Sequence, residues 1–114
     1  MRADVKLRLR HGDEIAMGPG KADLLAAIAE TGSISGAARS MQMSYRRAWL
    51  LVDVMNRSFR EPLVLGAAGG RQGGGASVTP AGLQVLAQFR AMQAASTAAA
   101  QPFLEALEKM LTHS

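Results

Sequence analysis

At 114 residues the chain has the length of one domain built on one core. Apolar residues make up 48% of it and aromatics only 4%, which favours aliphatic helix faces, and the lack of cysteine excludes a disulfide scaffold, a zinc–thiolate site and a thiol nucleophile. The whole formal charge of +4 sits within residues 39–71, where Arg39, Arg46, Arg47, Arg57, Arg60 and Arg71 are set against Asp53 and Glu61 alone.

Asp4 to Arg10 alternates Val5, Leu7 and Leu9 with charged neighbours, the period-two pattern of an edge strand, and His11, Gly12 and Asp13 then read as a turn. No apolar stretch follows the basic N-terminus and no window approaches a membrane span, so the expectation is a cytoplasmic protein, neither secreted nor in contact with a membrane. Gly18-Pro19-Gly20 breaks the chain. Lys21 to Thr31 places Leu24, Leu25 and Ile28 at helical spacing, and Gly32 suits a left-handed C-terminal turn.

Ser33 can cap a short second helix carrying Ile34, Ala37, Ala38 and Met41 on one face and ending near Met41. Ser44 can cap a third, running to about Arg60, in which Ala48, Leu51, Val52, Met55 and Phe59 form the core stripe. Its opposite face carries Arg46, Leu50, Asp53 and Arg57, flanked by Arg47 on one side and by Tyr45, Trp49 and Asn56 on the other. Trp49 is expected to brace the helix against its neighbour, and Tyr45 to be more open.

Pro62 ends this helix. Leu63-Val64-Leu65 and Ser77-Val78 then read as two strands joined by the glycine-rich segment between them. That segment lacks the Lys-Ser/Thr ending of a phosphate loop and precedes a strand, so it reads as a hairpin tip, with Arg71 offered to a neighbouring groove. Thr79-Pro80 starts a long final helix that Pro102 should kink or restart, and Phe103, Leu104, Leu107, Met110 and Leu111 continue its apolar stripe. One monomer has too little surface to cover these side chains, which points to a second copy of the chain.

Two short helices joined by a turn, the second capped and basic, form the arrangement that sets a helix in the major groove of double-stranded DNA. Ser33, Ser44, Tyr45, Arg46, Arg47, Leu50, Arg57 and Arg71 are the candidate DNA contacts, with Arg57 expected on the backbone. His11 and His113 stand near the chain ends without a partner pattern, so no metal and no cofactor is expected. No nucleophile–base arrangement or carboxylate pair stands out either, and an enzyme is not expected.

Gly32-Ser33-Ile34-Ser35-Gly36-Ala37-Ala38, Ser44-Tyr45-Arg46-Arg47-Ala48-Trp49, Met55-Asn56, Glu61-Pro62-Leu63-Val64 and Val78-Thr79-Pro80-Ala81-Gly82 together resemble the N-terminal DNA-binding domain of ModE-type molybdate-responsive regulators. The layout is also similar to that of LysR-type regulators. The resemblance implies a mainly α winged helix-turn-helix with a small β-hairpin wing and a long C-terminal dimerisation helix. Within a single domain over residues 1–114, residues 4–78 would hold the strand, the helix-turn-helix and the wing, and residues 79–112 the dimerisation helix or helices.

Gly70, Gly73, Gly74 and Gly75 would then belong to the wing, and Leu83, Leu86, Phe89, Met92, Phe103 and Leu107 to the pairing surface of a homodimer. The oxyanion-binding region that ModE-type repressors carry after this domain has no counterpart within the 114 residues, and the expectation is either constitutive action or a separate effector-sensing protein as a further partner. The function implied is a sequence-specific regulator, a repressor. The alternatives are an architectural DNA-binding protein and a protein-interaction module on the same fold.

Overall fold

Capping groups set the helix boundaries in the computed structural model, which describes residues 1–66 and 75–112. Helix α1 spans Pro19–Thr31, two residues longer at its start than the leucine spacing indicates, because Pro19 brings a helical φ and no amide needing a partner. Gly32 closes it in the left-handed region at φ 78°, its N–H donating to the Ile28 carbonyl at 2.8 Å. The Ser33 hydroxyl accepts the Gly36 N–H at 2.8 Å to open α2 (Ile34–Ser40), and the Ser44 hydroxyl accepts the Arg47 N–H at 3.0 Å to open α3 (Tyr45–Ser58).

The expected strand over residues 4–10 is corrected to β1 (Leu9–His11), paired antiparallel with β2 (Glu14–Met17), a strand the alternation did not reveal. The register runs His11 to Glu14, Arg10 to Ile15 and Leu9 to Met17, and the pairing ends there because α1 begins just after Gly18. Residues 4–8 therefore have no partner strand, although Leu7 still packs on the core. A second hairpin pairs β3 (Val64–Gly66) with β4 (Ala76–Val78), Val64 opposite Val78.

Helix α3 stops at Ser58, short of the expected Arg60 and well before Pro62. Phe59 leaves the helix in an extended conformation and lays its ring against the core, and the Ser58 hydroxyl donates to the Val54 carbonyl at 2.7 Å. Met17, Leu24, Leu25, Ile28, Met55, Leu63 and Phe89 are the largest fully buried side chains, so the core lies between the first three helices, the two hairpins and the start of α4 (Pro80–Glu108). Phe89 thus corrects its assignment to the pairing surface, since it is buried within its own domain; Leu86 packs partly on the same core.

Helix α4 is continuous through Pro102, so the expected restart does not occur. The proline removes a single donor from an otherwise intact ladder, in a stretch whose small alanines crowd it little. At the other end, Thr79 accepts the Gly82 N–H at 2.9 Å, donates its hydroxyl proton to the Pro62 carbonyl at 2.7 Å, and sends its own N–H to the Leu63 carbonyl at 2.9 Å. Gly82 is buried, and a β-carbon there would overlap the Leu63 carbonyl oxygen and sit 2.6 Å from Val78 Cγ1. Gly82→Ala is accordingly expected to destabilise by about 1–3 kcal/mol despite the better helix propensity of alanine, as denaturant unfolding will show.

Candidate nucleic-acid interface

The helix-turn-helix is α2, a turn over residues 41–44, and α3. Gln42 turns the chain at φ 57°, so α3 leaves the domain with its capped end outward. Ala48, Val52 and Met55 anchor the helix from beneath, which leaves Tyr45, Arg46, Arg47, Trp49 and Leu50 exposed over its first two turns. Trp49 is 48% exposed and Tyr45 55%, so the expectation that Trp49 braces the helix is corrected: the core is filled by small and aliphatic residues and the ring faces out beside Tyr45. Among the described residues, no carboxylate pairs with Arg39, Arg46 or Arg47, and their charge is available to an external anion.

Arg57 differs. Its Nη1 and Nη2 donate to the two Glu14 carboxylate oxygens at 2.7 and 3.1 Å, and its Nε donates to Asp53 at 2.9 Å. Both carboxylates engage the Arg57 charge and tie α3 to β2, which sets it apart from Arg46 and Arg47. Hydrogen bonding to Glu14, then to Asp53, raises the Arg57 pKa, and the same Arg57 bond holds the Glu14 carboxyl below its ordinary value.

Asn56, placed on the polar flank by the helical wheel, is a clamp on the wing. Its Oδ1 accepts the Leu63 and Val64 N–H groups at 2.8 and 3.1 Å, and its Nδ2 donates to the Val64 carbonyl at 3.0 Å. On the other side of the hairpin, the Ala76 N–H donates to the Gly32 carbonyl at 2.8 Å, fixing β4 against the end of α1. Gly75 is exposed at the base of the wing, whereas Gly70, Arg71, Gly73 and Gly74 lie outside the described residues.

Ser33 and Ser44 present their hydroxyls at the starts of α2 and α3 while capping them. Leu83, Met92, Phe103 and Leu107 are exposed along α4, Phe103 at 73%, and Met110 and Leu111 continue the apolar surface beyond the helix. No helix among the described residues is long and apolar enough to cross a membrane.

Residues 21–83 match the family model described as bacterial regulatory helix-turn-helix protein, LysR family. The chain is 49% identical over 78 residues to the molybdenum-pterin-binding protein MopB of Rhodobacter capsulatus, covering 68% of this chain and 29% of that protein. It is 47% identical over 70 residues to the molybdenum transport protein ModE of Azotobacter vinelandii (61% of this chain, 26% of that protein). It is 36% identical over 86 residues to the DNA-binding transcriptional dual regulator ModE of Escherichia coli K12 (75% and 33%). The chain thus spans about a third or less of the length of these relatives. The full-length regulator LysG of Corynebacterium glutamicum shares the fold with a TM-score of 0.53 and 24% identity, over 77% of this chain and 30% of that one.

Proposed function

Because the chain belongs to the LysR family of bacterial regulatory helix-turn-helix proteins, we propose that it is a sequence-specific DNA-binding transcriptional regulator, a cytoplasmic repressor acting as a homodimer on genes of molybdenum handling. The observation that carries the reading is the exposed pair Arg46 and Arg47 in the first turn of a capped helix, engaged by no carboxylate among the described residues. An α-helix fits the major groove, and an arginine fork bonds guanine O6 and N7 together, while the helix N-terminus favours phosphate.

In this reading Arg46, with Tyr45 and Leu50, meets base edges. Ser33, Ser44 and Arg47 approach bases or phosphates where the groove closes. The wing, through Arg71 and Gly70, Gly73, Gly74 and Gly75, lies along the adjacent backbone, where the lack of side chains permits close approach. Leu83, Met92, Phe103 and Leu107 cover the matching residues of a second copy, which would set two recognition helices about 34 Å apart on a two-fold operator. The relatives named for molybdenum supply the link to that element. Residues 1–114 act in this reading as a single DNA-binding and pairing domain.

Fluorescence anisotropy with the DNA upstream of the gene and with a scrambled duplex, across a salt series, tests this. A preference of about 10³ or more for the natural site, with two chains bound per duplex, is the expected result. Equal, salt-sensitive binding to both duplexes would replace the regulator with an architectural protein, and no binding at low salt would leave a protein-interaction module.

A further inference from the structure

Beside the recognition helix lies a second basic feature, which the charge distribution along the sequence did not single out. A cleft of about 320 Å³ is lined by Lys6 and Arg8 of the N-terminal segment, Gly20 and Lys21 of the first turn of α1, and Arg47 of α3. Four cationic side chains from three separate parts of the chain converge on it, and among the described residues none of the four is paired with a carboxylate. Gly18, before α1, provides no side-chain cap, so the amides of the first turn add donors with no carbonyl to receive them. Partial burial, and then Arg47 nearby, lower the Lys21 pKa, against the opposing pull of Glu14.

Like charges gathered around a concave surface repel one another in the free protein, and an anion seated among them relieves that repulsion. We propose that this cleft binds a phosphodiester of the DNA backbone, flanking the groove entered by α3, with Lys6, Arg8 and Lys21 holding the phosphate and Arg47 shared between cleft and groove. This inference rests on the reading of the chain as a DNA-binding protein and adds a contact outside the helix-turn-helix and the wing. The site reads no bases. Its contribution is sequence-independent, fixing how α3 is angled in the groove.

The test uses a Lys6→Gln, Arg8→Gln double variant, whose changes lie outside every helix and strand, and separately Lys21→Gln. In the double variant, affinity for the natural and scrambled duplexes is expected to fall by a similar factor, about tenfold, with the preference between them preserved. The slope of log affinity against log salt should become shallower by about 1 or more. An unchanged slope and affinity in both variants, with wild type binding DNA, overturns the inference alone; wild type failing to bind any DNA overturns the regulator reading and the inference with it.

A companion titration follows the amide resonances of Gly20 and Lys21 with duplex DNA and with inorganic phosphate at matched ionic strength. Shifts with the duplex at far lower concentration than with phosphate support the assignment. Saturable shifts with phosphate alone overturn it in favour of a small free oxyanion.

Discussion

Replacing Arg46 and Arg47 together with alanine is expected to lower affinity for the natural operator by about 10²–10³ while leaving thermal unfolding almost unchanged. A bidentate arginine–guanine contact is worth roughly 1–3 kcal/mol of discrimination, and each 1.4 kcal/mol is a factor of ten. The fold survives because the Ser44 hydroxyl bonds the backbone N–H of residue 47, which alanine keeps, and because alanine is a strong helix former. Arg57→Ala is the informative comparison. It removes a single formal charge about three turns further along the same helix, one that Glu14 and Asp53 already neutralise, so the affinity loss should be far smaller. Wild-type affinity for the operator in the double variant, measured by anisotropy, would remove α3 as the reading helix.

Asn56→Ala is expected to cost about 2–4 kcal/mol of stability, which for a domain of this size is a fall in melting temperature on the order of 10 °C. The amide side chain satisfies two N–H groups and one carbonyl at the start of β3, and alanine leaves all three in a half-buried seam between α3 and the wing. The geometry also ranks the substitutions. Asn56→Asp keeps an acceptor for the Leu63 and Val64 amides but sets a carboxylate oxygen against the Val64 carbonyl, so it retains part of the clamp and loses its donor. Differential scanning calorimetry of the three proteins checks the order wild type, Asp, Ala.

The parts of the fold visible in the sequence are those determined within one turn of chain. Ser33, Ser44 and Thr79 cap the helices expected of them, and Gly32 adopts the left-handed conformation expected of it, because these bonds reach only three or four residues. What escaped depends on distant partners. Strand β2 gave no alternation because Ile15, Ala16 and Met17 are all at least half covered, two of them buried. The Arg57–Glu14 pair spans 43 positions, so a helical wheel counted as free a charge that the fold had neutralised.

Asn56 looks like any polar residue on a helix flank until β3 returns beside it. Phe89 and Met92 are both apolar and one turn apart, yet the first is inside the domain and the second is exposed; periodicity detects an apolar face but not what lies against it. Of the candidate interface, the exposed arginines of α3 were legible from their phase relative to the core stripe. The cleft with Lys6, Arg8 and Lys21 was not, since it assembles residues from a segment that is neutral overall.

The reach of α4 past its last buried residue divides the chain into two grades of order. Of its 29 residues, only Gly82 and Phe89 are buried, and both lie in the first third. The remainder continues as an arm about 28 Å long at 1.5 Å per residue, tied to the rest of the chain by the Arg90–Asp23 and Met1–Glu108 ion pairs. Most of the stability of such a helix comes from packing of its apolar face rather than from helix propensity. In the proposed dimer, the free energy that winds the end of the arm and the free energy that joins two chains are therefore one quantity. Dilution would unwind the arm as it separates the pair, and the helical content of the protein would report its concentration.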